Sequence, residues 1–304
     1  MQTLKSMAER AAPDRYLGLS VQDAVRLLTQ TLMAAGLETP AVDARLLVPA
    51  VLGVSKRDLI LNPHRCVTAG EARHLAAFEA RRLAHEPVSR IIGTREFFGR
   101  TFAVTPAALD PRPDSETLVE AALEIARSRG AASAPLRILD IGTGTGCLLL
   151  TLLAELEGAT GLGTDVSAAA LDVAAANADR FGLGGRARWL QMRSLEGLSE
   201  PFDLIISNPP YIPTLEIDDL QADVRLYDPR IALDGGPDGF DIYREIAAGL
   251  VRTTGFEWAL FEVGAGQAAG LERLLRDSLA ARVRAIKTWQ DLGGHVRCVA
   301  VQTH

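Results

Sequence analysis

Residues 137–146 read RILDIGTGTG, an apolar run that leads directly into a turn in which glycine alternates with threonine. A short apolar run before turn residues predicts a buried strand, and the pattern from Cys147 to Leu156 predicts a helix after the turn. A strand, a glycine-rich turn and a helix in this order are typical of parallel α/β sheets. We therefore expect the sheet of this protein to begin here.

The alternation of strands and helices continues to the C-terminus. Further strands are predicted at 161–165, 188–191, 202–207, 258–263 and 296–301, and helices at 167–181 and 271–279. This pattern is typical of a mostly parallel, twisted sheet with helices on both faces. The predicted fold is therefore α/β and Rossmann-like from residue 113 onward.

The N-terminal residues follow a different pattern. Capping sequences at 20–23 and 68–71 precede apolar residues at helical spacing, which predicts a small helical domain over residues 1–85. Pro49 falls inside the second predicted helix. Because proline lacks a backbone N–H and clashes with the preceding turn, we expect it to kink or shorten that helix.

Residues 86–112 differ from both neighbouring regions. The stretch IIG at 91–93 and the run at 96–104 alternate around a glycine, which is typical of a β-hairpin. We expect this hairpin to link the helical domain to residues 113–304, which form the sheet.

Composition excludes several protein classes. The 304 residues are 48% apolar, which is ample for a packed core. No run approaches the roughly 18 apolar residues of a membrane span, and the N-terminus lacks the apolar stretch of a secretory signal, so we expect a cytoplasmic location. Cys66, Cys147 and Cys298 lie far apart without a CxxC, which argues against a disulfide framework and against a zinc site.

Two acidic residues flank the glycine turn. Asp140 ends the strand before Gly142, where an acid is awkward beside a pyrophosphate but suits the ammonium of a bound amino acid. Asp165 ends the next strand, where a carboxylate can accept hydrogen bonds from both ribose hydroxyls. A ligand with an ammonium, a ribose and no phosphate points to S-adenosylmethionine. A nicotinamide cofactor is the rival interpretation, and a tight turn that binds nothing is the simplest one.

The stretch SNPPYIP, residues 207–213, ends the fourth predicted strand of the sheet. An amide nitrogen is a poor nucleophile because its lone pair is delocalised, and a site can counter this by accepting both of its N–H bonds. The Asn208 side-chain oxygen and the Pro209 carbonyl are suitable acceptors, Pro210 stiffens the loop, and Tyr211 can stack on the planar group. The simpler interpretation is a turn that ends a strand.

No G-x-S-x-G sequence of a serine hydrolase occurs.

These motifs resemble the protein-(glutamine-N5) methyltransferases of the HemK/PrmC type, which modify class I peptide chain release factors. The resemblance covers nearly all of the chain. It rests on EPV at 86–88, GTREF at 93–97, PRPDSE at 111–116, DIGTGTG at 140–146, NPPYI at 208–212, DVR at 223–225, ALDGGPDG at 232–239, EVG at 262–264 and DLGG at 291–294. NPPY is shared with DNA amino-methyltransferases, whereas PRPDSE followed by the LDGG stretch is more specific.

The resemblance implies a class I S-adenosylmethionine-dependent methyltransferase that releases S-adenosylhomocysteine. It implies methyl transfer to the glutamine of the Gly-Gly-Gln motif of the release factor, which the helical domain helps to dock. The implied catalytic residues are Asn208, Pro209 and Tyr211, and Pro210 joins them in binding the substrate amide. The implied cofactor-binding residues are Asp140, Gly142, Thr143, Gly144, Thr145, Gly146, Asp165, Ser194 and Asn208.

Two positions depart from the family pattern. Arg193-Ser194-Leu195 stands where the family often has an acid and a bulky residue near the adenine, and Asp110 stands where an aliphatic residue is usual. The first departure affects the adenine contacts, and the second affects the junction between the domains. Arg112, Pro113 and Glu116 are expected at that junction, over the cofactor.

Other functions compete with this one. A related enzyme type methylates a glutamine of a ribosomal protein, and a nucleic-acid amino-methyltransferase or a non-catalytic cofactor-binding module are further alternatives. Residues 1–112 hold 15 Lys or Arg against 11 Asp or Glu, whereas residues 113–304 hold 17 against 27. An acidic catalytic domain disfavours nucleic acid as the target. We therefore expect a release factor as the partner of a monomeric enzyme.

Overall fold

A computed structural model describes residues 14–129, 135–193, 195, 197–198, 200–253 and 255–304, and in it the chain forms two compact units. The helical unit comprises the described residues up to Gly93 together with Gln221–Tyr227. The sheet unit comprises the described residues of Thr94–Leu220 and Asp228–His304. The chain therefore passes from one unit to the other at three points.

The helical unit is built from six helices around one apolar core. They are α1 (Val21–Ala34), α2 (Pro40–Leu52), α3 (Lys56–Leu61), α4 (Ala69–Leu83), α5 (Val88–Ile92) and α9 (Ala222–Tyr227). The core includes Leu28, Leu32, Leu47 and Leu75, none of which is exposed to solvent. Pro49 was expected to kink or shorten α2, but it does not shorten the helix. The helix continues to Leu52 and ends at Gly53, which adopts a left-handed conformation.

The segment Gln221–Tyr227 is held in the helical unit by two long-range hydrogen bonds. Gln221 donates from Nε2 to the Glu38 carboxylate at 2.9 Å, and Tyr227 donates from its hydroxyl to the Ala84 carbonyl at 2.8 Å. A segment that lies in the C-terminal part of the sequence therefore completes the N-terminal unit.

Charged side chains are also buried inside the helical unit. Arg82 donates from Nε to Asp43 at 2.7 Å, and the two side chains are 9% and 7% exposed. Thr39 donates to the other oxygen of Asp43 at 2.9 Å. Because a buried charge is tolerated only when it is paired, Arg82 and Asp43 depend on each other.

The β-hairpin is shorter than the sequence predicts. It consists of β1 (Thr94–Phe97) and β2 (Arg100–Ala103), which pair antiparallel. Ile91 and Ile92, which were expected to be part of it, instead lie in α5. That helix begins after Pro87 and ends at Gly93, whose φ of 81° closes it.

The sheet unit contains seven strands in the order β5-β4-β3-β6-β7-β9-β8. They are β3 (Arg137–Ile141), β4 (Thr160–Asp165), β5 (Ala187–Gln191), β6 (Leu204–Ser207), β7 (Trp258–Glu262), β8 (Val283–Gln290) and β9 (Val296–Thr303). Strands β3 to β7 pair in parallel, and β8 and β9 pair antiparallel at one edge. The predicted mostly parallel α/β sheet is confirmed, and β8 is an additional strand.

Helices cover both faces of this sheet. They are α6 (Glu116–Ser128), α7 (Cys147–Glu155), α8 (Ala168–Arg180), α10 (Asp241–Arg252) and α11 (Ala268–Leu279). Two separate apolar clusters result, one containing Leu149 and Ile138 and the other containing Ile205 and Leu271. Among the described residues, no helix has both the length and the apolar character needed to cross a bilayer.

The buried ion pair of the helical unit can be tested by substitution. Arg82→Ala leaves the Asp43 carboxylate buried without its cation, and we expect the free energy of unfolding to fall by about 3–5 kcal/mol. Arg26→Ala is the matched control, because Arg26 is 49% exposed and pairs with Asp23 at the surface of the same unit. We expect this control to lose about 0–1 kcal/mol. Urea denaturation followed by far-UV circular dichroism measures both, and equal losses would contradict the assignment.

Candidate active site

The turn between β3 and α7 needs glycine at its alternate positions. Gly142, Gly144 and Gly146 have φ angles of 72°, 55° and 77°, in the left-handed region that other residues avoid. A Cβ on Gly146 would also lie 3.0 Å from Leu150 and 3.2 Å from Ala174. The turn therefore holds its backbone close to α7 and α8 and leaves its outer side open.

Asp140 lies beneath this turn and is fully buried. Thr143 donates its hydroxyl to Oδ2 at 2.6 Å, whereas Oδ1 has no hydrogen-bond partner among the described residues. Burial raises the pKa of this carboxyl to about 7, and the charge of Asp165 adds to the effect, while the hydrogen bond from Thr143 opposes it. A cation bound near this carboxyl would favour its ionised form.

Asp165, at the end of β4, braces the same turn. Its Oδ2 accepts the N–H of Gly144 and its Oδ1 accepts the N–H of Ser167, each at 2.9 Å. A carboxylate oxygen has two lone pairs, so each oxygen can still accept a hydroxyl proton. The geometry suits a carboxylate that binds two neighbouring hydroxyls.

Asn177 of α8 was not singled out from the sequence, yet it also holds the turn. Its Nδ2 donates to the carbonyls of Thr145 at 3.0 Å and Ala103 at 3.1 Å, and its Oδ1 accepts the N–H of Ala103 at 2.8 Å. The side chain is fully buried. A lone polar residue in the small apolar run AAANA is the only signal that could have indicated it.

An open cavity of about 1080 Å³, including solvent at its mouth, lies along this edge of the sheet unit. Its wall includes these residues from the predicted site: Gly142, Thr143, Gly144, Thr145, Asp165, Asn208, Pro209 and Pro210. Asp140, Gly146 and Tyr211 are not part of the wall. Ser194 lies outside the residues that the structure describes.

Three further segments contribute to the wall, and of their residues the sequence analysis placed only Arg112 over the cofactor. They are 107–112 after the hairpin, 229–232, and the face of α10 that carries Ile242, Glu245 and Ile246. Arg112 pairs with Asp228, which joins the first segment to the residue before the second. Glu116, expected over the cofactor, instead accepts the N–H of Phe98 at 2.9 Å.

Arg193, one of the two departures from the family pattern, also lies in the cavity wall. Its Nε lies 3.2 Å from Oε2 of Glu245 on α10. The arginine is therefore paired with a carboxylate from another element of the wall, so its charge is balanced locally.

Asn208 projects into the cavity from the end of β6. Its Nδ2 donates to the Ser115 hydroxyl oxygen at 3.1 Å. Its Oδ1 has no partner among the described residues and is free to accept a hydrogen bond from a ligand. Asn208 is half-buried at the cavity wall.

The backbone after Asn208 is clamped by the glycine-rich loop at 232–239. Ile212 donates to the Leu233 carbonyl at 3.0 Å, and Gly235 donates to the Ile212 carbonyl at 2.8 Å. A Cβ on Gly239 would lie only 2.3 Å from the Tyr211 carbonyl oxygen. Glycine is therefore required here because the two backbones touch.

Tyr211 points toward the interior behind the loop. Its hydroxyl lies 3.5 Å from Oε1 of Glu262, at the end of β7. Burial, together with the nearby Glu262 charge, raises the pKa of Tyr211 well above its usual range. Among the described residues, no group of three or more His, Cys, Asp or Glu side chains could hold a metal ion.

Two sequence families match this chain. Residues 23–93 match the PrmC N-terminal domain, and residues 124–224 match the methyltransferase small domain. Among solved structures, the catalytic domain of hMettl16 in complex with MAT2A 3'UTR hairpin 6 has a TM-score of 0.56 at 17% identity, covering 77% of this chain and 82% of its own. At this identity the likeness shows the fold alone.

Curated relatives match over most of their length. The release factor glutamine methyltransferase of Bradyrhizobium diazoefficiens is 45% identical over 95% of this chain and 97% of its own. The enzyme of the same name from Rhodospirillum rubrum is 45% identical over 88% and 80%, and that from Caulobacter vibrioides is 41% identical over 87% and 90%. With this identity across both the helical and the sheet-forming parts, the chain belongs to the release factor glutamine methyltransferase family.

Proposed function

We propose that this protein transfers a methyl group from S-adenosylmethionine to the side-chain amide nitrogen of the glutamine in the Gly-Gly-Gln motif of a class I release factor. The observation that carries the proposal is the free Oδ1 of Asn208 in the same cavity wall as the glycine turn and Asp165. Membership of the family supports the choice of substrate.

The residues of the glycine turn fit the proposed cofactor. Gly142 to Gly146 would hold its methionine part and Asp165 its ribose hydroxyls, and the unpaired Oδ1 of Asp140 provides the negative charge that an ammonium requires. Bound S-adenosylmethionine supplies an electrophilic sulfonium methyl group. Ser194 stays a prediction from the sequence.

Asn208 and Pro209 orient the substrate amide. The Asn208 side-chain oxygen and the Pro209 carbonyl would each accept one N–H, which directs the nitrogen lone pair away from both acceptors and toward the methyl group. Two prolines stiffen this loop, and the glycine loop clamps it. The two acceptors are therefore already in place before the reaction, so little conformational entropy is lost in positioning them. Tyr211 lies outside the wall with its hydroxyl near Glu262, so the stacking role predicted for it is not part of this arrangement.

The helical residues 1–85 are assigned to docking of the release factor, in agreement with their match to the PrmC N-terminal domain. We further propose that the enzyme is a cytoplasmic monomer. Residues 86–112 and 113–304 retain their proposed roles as the linker and the methyltransferase domain.

The substrate can be tested directly with labelled S-adenosylmethionine. We expect label on an intact class I release factor and none on the variant in which the motif glutamine is replaced by alanine. A ribosomal protein extract and duplex DNA serve as the competing substrates. Label on DNA, or equal label on the alanine variant, would reject the proposal.

Asn208→Ala tests the amide-positioning role. Loss of one preorganised acceptor should lower kcat by about 10²–10³-fold, while the dissociation constant of S-adenosylmethionine changes less than about threefold. Stopped assays at saturating cofactor and isothermal titration calorimetry measure the two quantities. Asn208→Gln is the matched comparison, because it keeps the amide but displaces it. A turnover near that of the unmodified enzyme would refute the mechanism.

Cofactor affinity should depend on pH through Asp140. Its pKa of about 7 means that the carboxyl is largely protonated at pH 6, and a bound ammonium requires the ionised form. Affinity should therefore rise about fivefold between pH 6 and pH 7. Asp140→Asn should bind weakly at both pH values with a flat profile. An unchanged slope in that variant would show that another group is responsible.

A further inference from the structure

Gln267 ties the acceptor loop (residues 208–211) to the end of β7. It is half-buried and directly precedes α11. Its Nε2 donates to the Tyr211 carbonyl at 2.8 Å, and its Oε1 accepts the backbone N–H of Gly264 at 3.1 Å. One side chain therefore holds the last residue of the acceptor loop against the backbone that follows β7.

Both partners of the Gln267 amide are backbone groups, so the orientation of the amide follows from its contacts. A carbonyl can only accept a hydrogen bond, and a backbone N–H can only donate one. The NH₂ group must therefore face Tyr211 and the oxygen must face Gly264, since the reversed amide would satisfy neither partner. The Gln267 amide thus has a single arrangement at this position.

Two glycines leave the space that this side chain occupies. A Cβ on Gly264 would lie 2.8 Å from Oε1 of Gln267, and a Cβ on Gly239 would lie 2.6 Å from its Nε2. Both distances are shorter than Cβ atoms tolerate, so neither position can carry a larger residue while Gln267 stays in place. These glycines end the stretches EVG at 262–264 and ALDGGPDG at 232–239, which therefore contact the same glutamine.

A displacement of Tyr211 reaches the two acceptors because the loop between them is stiff. The acceptor loop starts directly after Ser207, which pairs with Phe261 of β7, so the sheet fixes its first end. The rings of Pro209 and Pro210 each fix one backbone dihedral angle. A stiff segment with two anchored ends has little freedom between them, so the position of the Pro209 carbonyl depends on where Tyr211 is held.

We propose that Gln267 is a positioning residue for the transfer reaction, because it fixes the Pro209 carbonyl relative to the Asn208 side-chain oxygen. The inference rests on the proposed role of these two acceptors in holding the substrate amide. Gln267 itself is not part of the cavity wall, so it acts through the acceptor loop. Ile212 remains bonded to Leu233 when the Gln267 contacts are lost, so we expect the loop to shift without unfolding.

Two substitutions at Gln267 break its contact with the loop in different ways. Gln267→Glu keeps the shape and can still accept the N–H of Gly264, but it presents an oxygen to the Tyr211 carbonyl. Gln267→Met has a similar length and removes both hydrogen bonds without adding a charge. Because a small misplacement of the reacting groups is costly in rate, we expect each variant to lower kcat about 10- to 100-fold. Turnover assays at saturating cofactor and release factor measure this loss.

The two binding constants should change little in these variants. The dissociation constant of S-adenosylmethionine should stay within about twofold, because the glycine turn and Asp165 keep their contacts. The KM for the release factor should stay within about threefold, because residues 1–85, which are assigned to docking, are unchanged. Isothermal titration calorimetry and substrate titrations measure the two constants.

Thr253→Val is the control for a general loss of stability. Thr253 is buried and donates from its hydroxyl to the Gly249 carbonyl at 3.0 Å, so valine also removes a hydrogen bond to a backbone carbonyl. This residue is not part of the cavity wall. We expect urea denaturation to show similar losses of stability for Thr253→Val and Gln267→Met, whereas only the Gln267 variant loses turnover.

The outcomes separate this inference from the proposed function. If the unmodified protein does not methylate a release factor, the proposed function fails and the inference fails with it. If it does, but both Gln267 variants keep the turnover of Thr253→Val, only the inference is wrong. A loss of cofactor affinity parallel to the loss of rate, or failure of both Gln267 variants to fold, would also overturn it, because Gln267 would then support the fold as a whole. If only Gln267→Glu fails to fold, the comparison of Gln267→Met with Thr253→Val decides the question.

Discussion

The site depends on the register between three parallel strands. Ile141 of β3 lies opposite Thr164 of β4 and opposite Ser207 of β6, so the three strands end at nearly the same level. The residues that follow them therefore share one edge of the sheet, which is where open α/β sheets place their ligands. A slip of one residue in either pairing would turn every inward side chain to the other face.

Behind this edge, the protein uses close backbone contacts and buried carboxyls rather than surface charge. The loop after Asn208 touches the backbone at Gly235 and Gly239, so its carbonyl groups are held by direct contact. Asp140 lies behind the cofactor end and Glu262 behind the amide end, and burial raises the pKa of each to about 7. Packing alone does not favour buried carboxyls with unpaired oxygens, and such groups are common at functional sites.

Much of the fold was predictable because it depends on local signals. The run RILDI and the glycines after it predict a buried strand followed by a tight turn, and the α/β alternation continues from that strand. The strand β8 was missed because it is an edge strand that has no buried residue and no apolar run. Ile91 and Ile92 suggested a strand by their β-branched side chains, but Pro87 and Gly93 at either end favour one helical turn.

The site was predictable where it follows a strand end and not where distant segments meet. Asp165 and Asn208 stand directly after apolar runs, so their positions follow from the strands. The wall segments at 107–112 and 229–232 meet only through tertiary contacts such as that of Arg112 with Asp228, more than one hundred residues away. No spacing rule in a single sequence reports such a contact.

The long-range segment Gln221–Tyr227 has a consequence for biosynthesis. The helical unit is encoded almost entirely by the first 93 residues, but it lacks one of its helices until residue 227 has left the ribosome. At translation rates of about 5–20 residues per second, this interval is on the order of ten seconds. During that time the nascent N-terminal helices have neither the partner for Glu38 nor the tyrosine that caps the Ala84 carbonyl. Vectorial folding of this protein can therefore begin with the helical unit but cannot finish there.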